Sequence, residues 1–179
     1  PWRGMKRDNW EGGHRVPMVA RWPGRIKAGT KTGQTTCLTD LMATCAAITG
    51  ARLPNDAAED SFNILPVLLG EAKNPVRDFT LHQTMSLALA IRKGDWKYLD
   101  HKGSGGNNYA RNKNLKALVL PEKAPDAPGQ LYNLAKDIGE ETDLARSNPE
   151  TAKALRTKLN NWLKETKARI PALDDRFIP

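Results

Sequence analysis

The sequence predicts an α+β fold in which an antiparallel sheet is covered by a helix near the C-terminus. Short apolar runs of strand length recur between residues 79 and 134. They are followed by a longer segment, 150–167, in which leucines and a tryptophan recur at helical spacing. Several strands followed by one helix, without regular alternation, are typical of an antiparallel sheet with a helix on one face.

Four strands are predicted, at 79–83, 87–92, 96–99 and 130–134. The second and third are separated only by Lys93, Gly94 and Asp95, which predicts a hairpin with a tight turn. The stretch from His101 to Asn114 is rich in glycine and asparagine, and we expect it to be a mobile polar loop.

The first part of the chain has a different pattern. An apolar run at 16–22 follows a glycine-containing loop and predicts a strand, and apolar residues at helical spacing predict a helix over 39–50. A short apolar segment follows at 62–69. Since the character of the sequence changes after Asn74, we expect two domains there, 1–74 and 75–179.

The chain of 179 residues carries 28 Lys and Arg against 20 Asp and Glu, a formal net charge of +8. Nucleic-acid sites cluster basic residues on one face, with aromatic residues between them. Here the basic residues are spread along the sequence, so we interpret them as a solvated surface and expect no nucleic-acid partner. No apolar run approaches the ~20 residues that span a bilayer, so we expect no membrane span.

Two cysteines, Cys37 and Cys45, lie before and within the predicted helix. Eight residues along a helix correspond to about 12 Å, which is beyond the reach of a disulfide. We interpret both as small buried apolar residues, which leave the redox compartment undecided.

The most specific stretch of the sequence lies near its start. It reads Arg3-Gly4-Met5-Lys6, then Trp10-Glu11-Gly12-Gly13-His14-Arg15-Val16-Pro17, and continues to Arg21-Trp22-Pro23-Gly24. Gly12 and Gly13 have no Cβ, so the backbone can turn sharply or approach another group closely there. We expect this loop to hold Lys6 at a fixed place near the entry to the predicted strand.

This pattern resembles the corresponding segment of the arylsulfatase family. Three further segments resemble the family and follow in its order, at 38–50, 90–98 and 130–145. The resemblance covers nearly the whole chain and implies the C-terminal portion of a sulfatase. Residues 1–74 would be the last strand and helices of a truncated α/β catalytic domain, with a short helix within 62–69. Residues 75–179 would be the antiparallel C-terminal subdomain.

The resemblance implies an enzyme that hydrolyses sulfate esters, a sulfuric ester hydrolase. In that family a formylglycine made from Cys or Ser attacks sulfur, and a divalent cation, usually calcium, binds this residue and the sulfate oxygens. Lys6 matches the lysine that the family carries in this loop, which implies that its ammonium donates to the sulfate or to the bridging oxygen. The substrate would be a sulfated small molecule or a sulfated carbohydrate. The family also implies a periplasmic or extracellular location.

Two histidines are further candidates for contact with the substrate. His82 lies near the end of a predicted strand, where the resemblance implies a polar or aromatic group at the mouth of the pocket. The alternative is a structural histidine whose hydrogen bonds are satisfied within the fold. His101, in the polar loop, is a candidate contact at the substrate rim. We interpret His14 as structural, and Glu11 and Arg15 as an ion-paired brace for the loop.

Other parts of the family's chemistry have no counterpart in this sequence. The formylglycine signature needs Cys or Ser, one residue, Pro or Ala, one residue, and Arg, whereas Cys45 is followed by Ala46-Ala47-Ile48-Thr49. The doublet Asp174-Asp175 is expected to be solvated, and we expect no metal ligand in this chain. We therefore predict that the chain alone is inactive, and that a missing N-terminal portion of the same protein supplies calcium and formylglycine.

Two other functions remain open on these residues. One is a non-catalytic carbohydrate-binding or interaction module that kept the scaffold, and the upstream coding sequence would distinguish it. The other is a related phosphate or phosphonate ester hydrolase, which a preference ratio for paired sulfate and phosphate esters would distinguish. The sequence does not predict which sulfate ester is the substrate.

Overall fold

The computed structural model describes residues 1–109, 111, 113–118 and 128–166. Its helices are α1 (Glu11–His14), α2 (Leu41–Thr49), α3 (Leu65–Leu68) and α4 (Pro149–Glu165). Its strands are β1 (Thr80–Gln83), β2 (Leu89–Lys93), β3 (Trp96–Leu99) and β4 (Gln130–Asn133). Short 3-10 turns lie at Leu38–Asp40 and Lys116–Leu118. No helix in this described part of the chain combines the length and apolar character needed to cross a membrane.

The strands form one four-stranded sheet in the order β1-β2-β3-β4. β2 and β3 pair antiparallel, with Ala90 opposite Leu99, and β3 pairs antiparallel with β4, with Leu99 opposite Gln130. Gly94, in the turn between β2 and β3, has φ 56°, a left-handed conformation that favours glycine. The predicted α+β fold, with a four-stranded antiparallel sheet and a C-terminal helix, is confirmed.

The core of the C-terminal unit lies on the sheet. α4 packs against β2 and β3 and buries Leu155 and Leu159. A second cluster joins the sheet to the N-terminal segment and contains Trp10, Ala90, Leu99, Tyr132 and Leu134. Trp10 is 3% exposed, and its Nε1–H donates to Gln130 Oε1 at 3.2 Å. The tryptophan of the sequence motif therefore anchors the Lys6 loop on the sheet.

Two compact units result, one of Pro1–Arg15 with Leu81–Pro179 and one of Val16–Thr80. The N-terminal segment belongs with the C-terminal sheet because Trp10 is part of its core. These two units are defined by the contacts that residues make within this chain. The assignment of 1–74 and 75–179 to two domains of a sulfatase concerns a longer protein and stays a prediction.

The strand predicted at 16–22 is not formed in this structure, so this prediction is wrong. These residues have no strand assignment, and Val19 is 91% exposed. A strand exists only where a neighbouring strand supplies partners for its N–H and C=O groups. Within the described residues, none pairs with this segment.

In the Val16–Thr80 unit a buried carboxylate organises the helices. Asp40 is 0% exposed, accepts hydrogen bonds from the backbone N–H groups of Cys37 at 2.7 Å and Phe62 at 3.0 Å, and pairs with Arg77. The expected helix ends at Gly50, where φ is 70°. The short helix implied within 62–69 is α3.

The interpretation of both cysteines as buried is wrong for Cys45, which is exposed on α2, whereas Cys37 is half-buried. Both thiols are free. Burial raises the pKa of the Cys37 thiol, and Asp40 and Asp60 add to the rise while Arg77 opposes it. Cys37 therefore does not have the properties of an activated thiolate.

Candidate functional site

Lys6 lies in a tight turn, and its side chain is exposed. The N–H of Asp8 donates to the carbonyl oxygen of Met5 at 2.9 Å, and the N–H of Met5 donates to Asp8 Oδ2 at 2.9 Å. Gly4 and Arg7 have φ values of 82° and 90°. A left-handed arginine is uncommon and persists only where surrounding contacts hold it.

The glycine pair of the motif packs directly against this turn. A Cβ on Gly13 would overlap the carbonyl of Asp8, and one on Gly12 would lie 2.6 Å from the carbonyl oxygen of Arg3. The N–H of Gly12 also donates to the carbonyl oxygen of Arg3 at 2.7 Å. The predicted close approach is confirmed. The backbone segments lie so close together that neither glycine position has space for a side chain.

The polar loop supports the other side of the Lys6 turn. The side-chain amide of Asn107 donates to the carbonyl oxygen of Lys6 and to Asp8 Oδ1, each at 2.9 Å. The Tyr109 hydroxyl donates to Asp8 Oδ2. The part of this loop that reaches Tyr109, which we expected to be mobile, is therefore fixed to the loop that carries Lys6.

A buried cation lies between two carboxylates next to the motif. Lys97 Nζ is 3.1 Å from Glu11 Oε1 and 3.0 Å from Glu140 Oε1, and none of the three side chains is more than 1% exposed. The N–H of Glu11 donates to Glu140 Oε2 at 2.6 Å. Buried charges are tolerated where they are paired and hydrogen-bonded, as these are.

The expected brace of Glu11 and Arg15 is present, with Arg15 Nη1 3.3 Å from Glu11 Oε2. Arg92 reaches the same oxygen at 3.4 Å. Lys97 and Glu140 were missed by the sequence interpretation. No local signal marks them, because Lys97 lies 86 positions from Glu11 along the chain, and their pairing depends on the sheet.

The two carboxylates of this cluster titrate differently. Burial acts to raise the pKa of Glu11, but the charge and hydrogen bond of Lys97, together with the charge of Arg92, outweigh it, so that this pKa is lowered. Burial raises the pKa of Glu140, and Lys97 and the Glu11 N–H only partly offset it. Glu11 is therefore the carboxylate that more firmly holds its negative charge beside Lys97.

The rings of His14 and His82 stack, with centroids 3.7 Å apart and an interplanar angle of 19°. Lys97 Nζ is 3.1 Å from His14 Nε2. Burial and Lys97 lower the pKa of His14 to about 4, with Glu11 opposing. Burial and His14 lower the pKa of His82 well below its usual value. Both rings are neutral at neutral pH, which fits the structural interpretation of His14; substrate contact by His82 stays a prediction.

His101 is half-buried and joins the polar loop to the motif. Its Nε2 lies 2.9 Å from Asn9 Nδ2, and its Nδ1 lies 3.0 Å from the carbonyl oxygen of Lys102. Because an amide nitrogen only donates, Nε2 is the acceptor and Nδ1 carries the proton. The Asn9 amide also donates to the carbonyl oxygen of Ala88 at 3.0 Å. The role of His101 at a substrate rim stays a prediction.

The described residues do not bring the usual metal-binding side chains together. Among them, no group of three or more His, Cys, Asp or Glu side chains could hold a metal ion. The doublet Asp174-Asp175 lies outside the described residues.

The chain is similar in sequence to known sulfatases. N-acetylgalactosamine-6-O-sulfatase of Bacteroides thetaiotaomicron is 32% identical over 154 residues, which are 86% of this chain and 28% of that protein. Human arylsulfatase A is 33% identical over 160 residues, which are 84% of this chain and 31% of that protein. The chain thus spans less than a third of the length of these relatives. No protein-family model matches it.

A solved structure concerned with the metabolism of multiple glycosaminoglycans by Bacteroides thetaiotaomicron is also similar. It superposes with a TM-score of 0.74 at 32% sequence identity, over 89% of this chain and 31% of that one. Relatives and structure therefore agree over most of the sequence. The chain belongs to the sulfatase family, and its extent is consistent with the C-terminal portion of these proteins.

Proposed function

We propose that this chain is the C-terminal part of a longer sulfuric ester hydrolase, to which it contributes Lys6 and one wall of the substrate pocket. The observation that carries the proposal is the Lys6 turn, an exposed cationic side chain on a backbone fixed from two sides. The sulfatase relatives support sulfate ester hydrolysis as the reaction of the complete protein.

Lys6 would bind the sulfate group of the ester. Its ammonium would donate to a sulfate oxygen, or to the bridging oxygen, where negative charge develops as the S–O bond breaks. A charge-assisted hydrogen bond contributes on the order of 1.5–3 kcal/mol. It accelerates the reaction only as far as it is stronger in the transition state than in the bound substrate. A fixed backbone favours this, because the point at which the Lys6 side chain leaves the backbone need not be positioned anew in each turnover.

Formylglycine and calcium would come from parts of the protein outside this chain. Cys45 lacks the arginine of the modification signature. In the complete protein, calcium would neutralise charge on the sulfate oxygens. The residues of this chain are proposed to bind and orient the sulfate group beside that centre.

The proposed substrate is a sulfated carbohydrate or another sulfated small molecule. The Bacteroides relative is named for a sulfated amino sugar, and the similar solved structure concerns glycosaminoglycans. His82 and His101 are the proposed substrate contacts besides Lys6. The proposed location is periplasmic or extracellular, as the resemblance to the family implies.

The exposed apolar residues of the Val16–Thr80 unit support a longer protein. Val19 is 91% exposed, and Met42 and Leu41 on α2 are 54% and 43% exposed. Exposed apolar surface of this extent is costly unless another part of a protein covers it. We infer that another part of the complete protein covers these apolar side chains.

The test is turnover of the complete gene product with 4-nitrophenyl sulfate and with a sulfated N-acetylhexosamine. We expect Lys6→Ala to lower kcat/KM by about 10- to 100-fold, since one charge-assisted hydrogen bond is lost. Lys27→Ala, at another exposed lysine, is the matched control and should not change turnover. Wild-type turnover by Lys6→Ala would contradict the role of Lys6.

Two further measurements address the alternatives. The chain of 179 residues alone should show no sulfatase activity, and metal-dependent turnover by it would contradict the proposal. Faster hydrolysis of paired phosphate esters by the complete protein would instead favour the phosphate or phosphonate hydrolase.

A further inference from the structure

Asp8 is the centre of a buried hydrogen-bond cluster beneath the Lys6 turn. It is 3% exposed and accepts from the Met5 N–H at 2.9 Å, the Asn107 side-chain amide at 2.9 Å and the Asn107 N–H at 3.3 Å. The Tyr109 hydroxyl is a further donor. An ionised carboxylate only accepts, at about four positions. The four donors therefore match the number of acceptor positions of this carboxylate.

Asn107 connects this carboxylate to the peptide of Lys6. Its Nδ2 carries two hydrogens, and the two acceptors at 2.9 Å are Lys6 O and Asp8 Oδ1. The Asn107 N–H is also 3.1 Å from Ser104 Oγ. The Asp8 carboxylate thus holds the Met5 N–H, and the Asn107 amide holds the Lys6 carbonyl oxygen. We call these two side chains the Asp8–Asn107 clamp.

The backbone around the clamp is closely packed against the turn. A Cβ on Gly106 would overlap the carbonyl of Arg7, and Arg7 itself has φ 90°. A strained residue of this kind is held by its surroundings rather than by its own preference. Loss of the clamp would let Arg7 relax and would rotate the neighbouring Lys6.

We propose that Asp8 and Asn107 are positioning residues that act through Lys6, by fixing the direction in which its side chain leaves the backbone. The inference rests on the proposed function, in which Lys6 contacts the sulfate group. Displacement of a reacting or binding group by about 1 Å can lower the rate ~100-fold. The clamp is therefore expected to control turnover although neither of its side chains is proposed to touch substrate.

The primary test is Asn107→Asp in the complete protein. The substitution keeps the shape of the side chain but replaces the donor facing Lys6 O and Asp8 Oδ1 with an acceptor. With 4-nitrophenyl sulfate, we expect kcat to fall about 10- to 100-fold. Asn108→Asp is the matched control, because exposed Asn108 uses its Oδ1 to accept from the Arg111 N–H at 3.1 Å and aspartate keeps that acceptor. We expect its kcat to be unchanged.

A double-variant cycle separates positioning from general loss of structure. In the Lys6→Ala background, measured at high enzyme concentration, Asn107→Asp should lower kcat by less than about twofold, since the group through which it acts is gone. Equal fold losses in both backgrounds would overturn the inference while leaving the role of Lys6 intact. No loss from Lys6→Ala alone would instead overturn the proposed function. If Asn107→Asp does not fold, Asn107→Ala replaces it in the same cycle.

Discussion

Lys97 Nζ lies 3.1 Å from His14 Nε2, so a buried ammonium donates a hydrogen bond to a neutral imidazole. The same ammonium pairs with Glu11 and Glu140. These four residues come from the motif near the N-terminus, from β3 and from the segment after β4. One lysine therefore ties the loop that carries Lys6 to the C-terminal sheet.

Lys97→Met is expected to destabilise the chain strongly. Glu11 and Glu140 would remain buried without their shared cation, and removal of one partner of a buried ion pair costs about 3–5 kcal/mol. The free energy of unfolding from urea denaturation measures the effect. Lys153→Met, at an exposed position of α4, is the control and should change that free energy by less than about 0.5 kcal/mol. Equal stabilities of the two variants would contradict a stabilising role for the ion pairs of Lys97 with Glu11 and Glu140.

The stability of the chain should decrease as the pH falls through the range in which unfolded histidine titrates. The pKa of His14 is lowered from 6.5 to about 4 in the folded chain, so the unfolded chain binds a proton first. The contribution of His14 to the free energy of unfolding is fully present above pH 6.5 and is lost as the pH falls towards 4. The loss is on the order of 3 kcal/mol, and the lowered pKa of His82 acts in the same direction.

His14→Gln isolates this contribution, because its amide oxygen can still accept from Lys97 but does not titrate. We expect the free energy of unfolding of the variant to fall less between pH 7 and pH 4.5 than that of the unmodified chain. The raised pKa of Glu140 acts in the opposite direction in both proteins, so it largely cancels in the difference. Parallel pH profiles would show that His14 is not the group responsible.

Gly13→Ala should destabilise the chain and displace the Lys6 turn. The new Cβ would overlap the carbonyl of Asp8, and relief of such overpacking costs about 1–3 kcal/mol. Thermal unfolding compared with Gly33→Ala measures it, because a Cβ on Gly33 meets no atom within 4 Å. The control should be neutral or slightly stabilising. If both variants melt alike, the turn can move away from Gly13 at little cost.

Local pattern was sufficient for the C-terminal sheet and its helix. The strands are short apolar runs bounded by turn residues, and α4 has leucines at helical spacing that it buries on the sheet. The sequence also predicted the structural role of the glycine pair, since glycine has no Cβ and lets another backbone segment approach closely. The family resemblance rested on the same local motifs.

The segment 16–22 shows where local pattern fails. Its apolar residues predict a strand, yet in this structure Val19 is exposed and no described strand pairs with it. Pairing is a property of two segments, and a sequence window reports on only one of them. The exposed position of Cys45 has the same origin, because burial depends on what lies against α2.

The sequence by itself determined the strands of the sheet and the close backbone approach at the glycine pair, because each depends on residues close together in the chain, and the resemblance to the sulfatase family implied the candidate role of Lys6. Only the tertiary structure decided that Lys97 pairs with Glu11 and Glu140, and that Asn107 holds the peptide of Lys6. These partners lie between 43 and 101 positions apart. Contacts over such distances form only when the sheet brings the segments together, and burial then makes the charged and polar partners depend on one another.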